Sequence, residues 1–210
     1  MSIEKVKRLI DATDKIAVLT GAGISTDSGI PDFRGPEGLW TKNPDAEKLS
    51  TLSNFLASDE VRYNSWRRWS DSSLLNAEPN AGHLSLVELE KRGKLRGLIT
   101  QNVDGLHIKA GNDPRLVYEI HGTTRTASCM SCHKSYDPLD IVKRMDDGEW
   151  DPRCDCEDSG IIKMDVIYFE EDLPADLWLK AMNRTFGCEL FIAIGTSLQV
   201  YPAAGLLHYT

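Results

Sequence analysis

The sequence predicts an α/β fold: a parallel sheet with helices on both faces, interrupted by a small cysteine-bearing insert. Three observations predict it. Short apolar runs at 16–19, 95–100, 116–120 and 190–194 alternate with stretches of helical period, the order that gives parallel strands joined by crossover helices. The first and last runs end in small-residue turns, Gly21-Ala22-Gly23 and Gly195-Thr196-Ser197. Such turns fall at the carboxyl ends of strands, where open α/β sheets bind ligands. Finally, two close cysteine pairs, Cys129/Cys132 and Cys154/Cys156, stand between the third and fourth runs.

Composition narrows the class. A chain of 210 residues is long for one domain and leaves room for a small insert beside a sizeable core. The net charge of −8 provides no electrostatic footprint for nucleic acid. Met1 to Ile10 mixes charges with apolar residues, unlike a signal peptide. No run approaches the ~18 apolar residues of a membrane span. Five cysteines without an export signal predict reduced thiols, used as metal ligands or core residues, and a cytoplasmic location.

Taken in order, Ser2 to Thr13 reads as an amphipathic helix, N-capped by Ser2, with Ile3, Val6 and Ile10 on one face. The strand Ile16 to Leu19 enters Gly21-Ala22-Gly23-Ile24-Ser25, where glycines permit close backbone approach to a ligand. A helix from Ile24 would offer free N–H groups to a pyrophosphate. Thr26 stands where the dinucleotide fingerprint has its third glycine, so a plain strand-to-helix turn is an equal alternative. Asp32-Phe33-Arg34 places an acid, an aromatic and a guanidinium on a Gly/Pro-bounded loop suited to a lid. Residues 35–52 read as loop. Ser53 to Leu75 reads as helix, with Trp66 and Trp69 as packing residues.

Asn80 predicts the cap of a helix to about Lys91, with Leu84, Leu86, Val87 and Leu89 apolar and Gly93 as its stop. The strand Leu95 to Thr100 then runs into Gln101-Asn102-Val103-Asp104, amides and a carboxylate suited to a ribose and a carboxamide, or equally to a turn. The strand Leu116 to Ile120 leads into His121-Gly122, which makes His121 the best base candidate. His83 falls on a helix and His107 in the polar loop, and a structural role suits either. Val166 to Phe169 reads as a strand and Pro174 to Phe186 as a helix, with Leu177, Trp178, Ala181 and Met182 on one side. After Leu190 to Ile194, another helix opens at about Pro202.

The cysteine pairs are C-x-x-C and C-x-C, with 21 residues between the inner cysteines. Two close pairs at such a separation form the usual tetrahedral zinc framework. Four sulfur ligands would leave no open position for water, which makes the metal structural. A redox dithiol is the competing reading, and the presence of two pairs argues against it. Cys188 reads as a core residue, and 137–153 as a polar surface excursion.

Together, Gly21 to Ser25, Gly29-Ile30-Pro31-Asp32-Phe33-Arg34, Thr100 to Asp104, His121-Gly122, the four cysteines and Gly195-Thr196-Ser197 resemble the sirtuin family of NAD-dependent protein deacylases, in the family's order over nearly the whole chain. The resemblance implies a Rossmann-like domain of residues 1–123 and 164–210, with a small zinc-binding insert of residues 124–163. It implies that NAD and an acyl-lysine protein or peptide meet in the cleft between them. Gly21, Ala22, Gly23 and Ser25 would line the cofactor's phosphates, and Asp32, Phe33 and Arg34 would form the mobile cofactor loop. Gln101 and Asn102 would contact the ribose, Ile30 and Asp104 the nicotinamide carboxamide, and Gly195, Thr196 and Ser197 the adenosine side. His121 would be the general base, with Asn102 beside it in the catalytic set. Cys129, Cys132, Cys154 and Cys156 would hold Zn2+. Val166, Phe169 and Glu170 belong to the segment that would pair with the substrate peptide as an added strand.

Three departures stand out. Lys163-Met164 replaces the family's frequent Arg-Pro, and Phe169-Glu170-Glu171 replaces Phe-Gly-Glu. The sequence also ends before the further strand and adenine-binding turn with which sirtuins usually continue. Members that prefer acidic acyl groups carry Tyr-x-x-Arg on the helix before Pro-Asn-Ala. Here Trp66 follows Tyr63 at that spacing, and Arg67 lies one step on, which predicts a preference for acetyl and other uncharged acyl groups. An ADP-ribosyltransferase, or an NAD- or peptide-binding module without turnover, are the alternatives of a different class.

Overall fold

Ile16, Ala17, Val18 and Leu19 are completely shielded from solvent, and their strand lies inside the sheet. In the computed structural model, which describes residues 2–42 and 44–210, helix α1 (Ile3–Asp11) precedes strand β1 (Ile16–Thr20). The Ser2 hydroxyl caps α1 by accepting from the Lys5 amide. Ile3 is nonetheless 83% exposed, so the apolar face of α1 is only partly covered.

The main sheet has the order β3-β2-β1-β7, all parallel, from β2 (Leu95–Thr100), β3 (Val117–Glu119) and β7 (Leu190–Ile194). Alternate residues of a strand face opposite sides. Ile16 and Val18 join Ile24, Leu86, Leu89 and Leu98 on one side, while Leu19 joins Ile99, Ile120, Ala181 and Leu206 on the other. Each such side chain contributes about 1.5–3 kcal/mol on burial. This explains why the apolar runs read so clearly as strands.

Several elements differ from expectation. No α-helix begins at Ile24: Ala22–Ile24 and Thr26–Ser28 form two 3-10 turns separated by Ser25, and Gly29 closes the second at φ 83°. Glycine, serine, threonine and aspartate are weak helix formers, and i→i+3 bonds suffice for so short a run. The expected loop at 35–52 contains helix α2 (Leu39–Lys42) and a 3-10 stretch, Pro44–Ser50. The expected long helix is split into α3 (Leu52–Ala57) and α4 (Asp59–Ser70), because Ser58 leaves helical geometry and its hydroxyl caps α4 at Val61.

Asn80 caps α5 (Ala81–Lys91) as expected, but Leu84 is 54% exposed and His83 takes the inward position. His107 lies on helix α6 (Leu106–Ala110) rather than in a loop.

The insert forms its own antiparallel sheet, order β5-β4-β6, from β4 (Gly122–Cys129), β5 (Ser135–Tyr136) and β6 (Ile162–Val166). Helix α7 (Pro138–Asp146) occupies the stretch expected as surface excursion, and buries Ile141 and Met145. Their core also takes Trp66 and Trp69 from α4, so both tryptophans are packing residues. Arg62, itself buried, clamps Asp151 with two bonds of 2.7 and 2.8 Å and ties α4 to the insert.

Strand β6 stops at Val166; beyond it Phe169 makes a single parallel bridge to Thr51. Helix α8 (Ala175–Thr185) matches expectation, with Leu177, Trp178, Ala181 and Met182 against the sheet. The chain after Pro202 is a 3-10 stretch, Ala203–Tyr209. Cys188 is only half-buried. Among the described residues no helix is long and apolar enough to cross a membrane.

Candidate active site

The turns after β1 and β7 interlock backbone to backbone. The Gly23 amide donates to the Gly195 carbonyl at 2.8 Å, and Gly21 donates to Ile194 at 3.0 Å. A Cβ on Gly21 would lie 2.8 Å from the Gly195 carbonyl oxygen, and one on Gly23 would lie 2.9 Å from the Gly195 Cα. Gly195 itself adopts φ 62°, and a Cβ there would overlap the Ile24 amide. These glycines therefore let two strand ends close on each other, a use the spacing alone does not reveal.

Gln101 bridges this junction to the third strand end. Its side-chain amide donates to Thr196 Oγ1 at 2.9 Å. Its carbonyl lies 3.0 Å from His121 Nδ1. A carbonyl can only accept, so Nδ1 carries the proton and Nε2 holds the lone pair. Burial pushes the His121 pKa below its ordinary 6.5, against the bond to the Gln101 carbonyl, which raises it. The residue is thus a neutral imidazole near pH 7 with one basic nitrogen.

Beneath lies a buried polar network. Asn102 donates to the Gly21 carbonyl and to Ser25 Oγ, both at 3.2 Å. Ser25 Oγ donates to Asp104 Oδ2 at 2.7 Å, and the Leu106 amide holds the other oxygen at 2.9 Å. Asn80 N donates to His83 Nδ1, which leaves the His83 Nε2 proton facing Ser25 Oγ at 3.5 Å. Thr20 donates to Thr100 at 2.8 Å, and His107 Nε2 lies 2.9 Å from the Thr20 hydroxyl.

His107 Nδ1 is buried with no partner, and burial lowers the His107 pKa to about 3. At 2% exposure His107 cannot reach a substrate, which sets it apart from His121. Sequence reasoning found neither the Thr20–Thr100 pair nor the inward turn of His83. The i+3 spacing of Asn80 and His83, a capping pair, was the available signal for the latter.

Asp32, Phe33 and Arg34, expected to form the cofactor loop, sit together with Trp40. Asp32 Oδ1 accepts from the Gly35 amide at 2.8 Å and closes the turn. Phe33 packs on Trp40 at 4.8 Å between ring centroids, Arg34 lies over the same indole at 4.6 Å, and Phe169 packs on it at 5.7 Å. Trp40, missed in the sequence, thus joins the loop to Phe169 and the segment after β6. Ile30 is tied by its amide to the Ser25 carbonyl at 3.3 Å. Ala22 lies half-buried in the first 3-10 turn, and Ser197 is exposed beyond Thr196. Val166 pairs with Gly122, and the His121 carbonyl accepts from Ile167 at 2.8 Å, which sets His121 beside that segment.

The four sulfurs of Cys129, Cys132, Cys154 and Cys156 lie within 4.8 Å of one another, and the cysteines are unbridged. Zinc–sulfur bonds of about 2.3 Å in a tetrahedron place sulfurs about 3.8 Å apart. The Cys129–Cys156 and Cys132–Cys154 separations are 3.8 and 3.5 Å. The Ser131 and Cys132 amides point at Cys129 Sγ at 3.4 and 3.5 Å, as donors to a thiolate would. Gly160 leaves the room: a Cβ there would lie 2.5 Å from that sulfur. The set fits one structural Zn2+ with no open coordination position.

A Rossmann-like sheet with glycine turns at two strand ends, a neutral histidine at a third and a four-cysteine insert defines a cofactor-dependent group-transfer enzyme. The Sir2 family pattern matches residues 21–202, and the chain belongs to that family. It is 47% identical over 192 residues to NAD-dependent protein deacetylase 2 of Streptomyces coelicolor, covering 91% of this chain and 79% of the relative. It is 43% identical to the NAD-dependent protein deacetylase of Saccharolobus solfataricus, over 97% of this chain and 78% of that one. Among solved structures, Sir2Tm bound to a propionylated peptide superimposes with a TM-score of 0.86 at 32% identity, over 100% of this chain and 82% of that one. A Sir2 protein bound to an acetylated peptide gives 0.85 at 32% identity, with the same coverage.

Proposed function

We propose that the protein is an NAD-dependent protein lysine deacylase that removes acetyl and other uncharged acyl groups, with nicotinamide and O-acyl-ADP-ribose as products. The observation that carries this reading is the neutral His121, its Nε2 free, bonded to the same Gln101 that joins the glycine turns at Thr196. NAD, when bound, would supply the electrophilic ribose carbon and the nicotinamide leaving group. His121 Nε2 would accept a proton from a ribose hydroxyl, an effect typically worth ~10²–10⁴ in rate. Phe33 would shield the reacting centre from water, and its ring, packed on Trp40 on one side, remains 41% exposed to a ligand.

The remaining roles follow the family pattern. Gly21, Ala22, Gly23 and Ser25 line the phosphates, and Asp32, Phe33 and Arg34 form the mobile cofactor loop. Gln101 and Asn102 hold the ribose, Ile30 and Asp104 the carboxamide, and Gly195, Thr196 and Ser197 the adenosine side. The segment that carries Val166, Phe169 and Glu170 receives the peptide as an added strand. Residues 1–123 and 164–210 act as the cofactor domain and 124–163 as the zinc insert, a division supported by the two separate sheets. We place the protein in the cytoplasm, which the unbridged cysteines support. The test is nicotinamide release from NAD, which must depend on an acetyl-lysine peptide and vanish with unmodified peptide.

A further inference from the structure

Glu170 is a non-glycine residue at φ 76°, in the left-handed region that favours glycine. Its side chain reaches across to α3: Ser53 donates to its carboxylate twice, from the amide at 2.9 Å and from the hydroxyl at 3.1 Å. The neighbouring backbone follows, with Leu52 N donating to the Phe169 carbonyl at 3.1 Å and Phe169 N to the Ser50 carbonyl at 2.9 Å. Glu171 turns the other way. Its carboxylate accepts from Tyr168 N at 2.6 Å and pairs with the buried Lys163 at 3.0 Å, and Lys163 also donates to the Val166 carbonyl at 2.6 Å. The segment 166–171 is therefore pinned from β6 by Lys163 and from α3 by Glu170. Lys163 and Glu170 are both positions at which this chain departs from the family's frequent residues, whereas Glu171 keeps the family's glutamate.

We propose that Glu170 is a positioning residue for the acyl-lysine peptide: by clamping Ser53 it fixes the turn at 168–171, closed by the Glu171 amide on the Tyr168 carbonyl at 3.1 Å, and so holds in place the stretch after β6 on which a peptide strand pairs. This rests on the deacylase reading above. A strand that is already ordered binds its partner without the entropy cost of ordering itself. An unfavourable φ persists where the surrounding bonds over-determine it, and the two Ser53 bonds supply that constraint. A glycine at 170 would relax the backbone and release the clamp together.

The test compares Glu170→Ala, Glu170→Gln and Glu170→Gly with the wild-type full chain. Hydrogen exchange at the Ser53 amide reads the clamp, and steady-state kinetics on an acetyl-lysine peptide read its effect. Glu170→Ala is expected to speed Ser53 exchange about tenfold and to raise the peptide KM about fivefold, with kcat and the NAD KM within about twofold of wild type. Glu170→Gln, which keeps an acceptor oxygen, recovers at least part of the peptide KM, and Glu170→Gly behaves like alanine. An unchanged peptide KM in Glu170→Ala overturns the proposal. So does a parallel change in peptide KM, NAD KM and Tm, which marks a merely structural role. If the wild type releases no nicotinamide, the deacylase reading fails on its own, and fluorescence anisotropy of the labelled peptide replaces kinetics. Weaker peptide binding by Glu170→Ala still supports the clamp, whereas equal binding, or no binding to wild type, overturns it.

Discussion

The Nδ1 of His121 lies 3.0 Å from the carbonyl oxygen of Gln101, and this contact decides which nitrogen can act as base. Gln101 is anchored in turn by its side chain on Thr196, so the His121 ring is oriented by the same residue that joins the glycine turns. His121→Ala is expected to lower deacylation by at least ~10²-fold while NAD affinity stays within a few-fold of wild type. Because burial lowers the His121 pKa below 6.5, its base form persists in mild acid. The acid limb of kcat/KM against pH is expected below 6.5, and a limb at or above that value would count against this environment.

His107 sets a second, separate pH dependence, on stability. Its pKa falls from 6.5 in the unfolded chain to about 3 in the fold, because burial disfavours the imidazolium and His83 lies alongside it. Between those values the unfolded chain binds more protons, so stability is full above 6.5 and is lost as pH falls toward about 3. Urea unfolding at pH 5 and 7 measures the slope. His107→Asn, which cannot take up the proton, is expected to flatten the dependence by about one proton.

The four-cysteine site predicts one zinc per chain by elemental analysis. Such a site supplies ~10–16 kcal/mol of apparent binding energy. Its loss by strong chelation, or by Cys132→Ala, is expected to loosen the core that Cys129 and Cys154 share with Trp66 and Trp69. Tryptophan fluorescence and near-UV dichroism report that directly, and a metal-free preparation with native spectra would contradict it.

Acetyl-lysine is expected to be preferred over succinyl-lysine, although for a reason partly different from the sequence argument. Trp66 is a buried residue of the core that α4 shares with the insert, and its ring is taken up by that packing. Arg67 is occupied: it donates to Asp146 at 2.5 Å and to the Tyr63 hydroxyl at 3.2 Å. Its charge is already paired on the insert side, so a distal carboxylate in the pocket would lack a partner there. Comparing kcat/KM on one peptide carrying each acyl group checks this. A succinyl preference of about tenfold, or 1.4 kcal/mol, would show that an arginine serves the pocket.

The fold was legible where burial imposed a pattern on neighbouring residues. Ile16 to Leu19 and Leu95 to Thr100 are strands because almost every side chain in them is buried, and Asn80 capped its helix because the cap is a local contact. Cys129, Cys132, Cys154 and Cys156 were legible because metal spacing is written in the chain. What was not legible is long-range. The interlock of Gly23 with Gly195 joins residues far apart in sequence, and no local signal shows that glycine serves a second backbone rather than a ligand. Trp40 gave no sign of lying between Phe33 and Phe169. The polar run 137–153 hid Ile141 and Met145 on one face of α7, which short amphipathic helices do easily.

The most direct test of the account is mass spectrometry of an acetyl-lysine peptide incubated with the protein and NAD, wild type beside His121→Ala. The account predicts that wild type yields unmodified lysine peptide, nicotinamide and O-acetyl-ADP-ribose in equal amounts, and that the variant yields none. ADP-ribose attached to protein, with the acetyl group left on the peptide, would contradict it, as would full deacetylation by the His121→Ala variant.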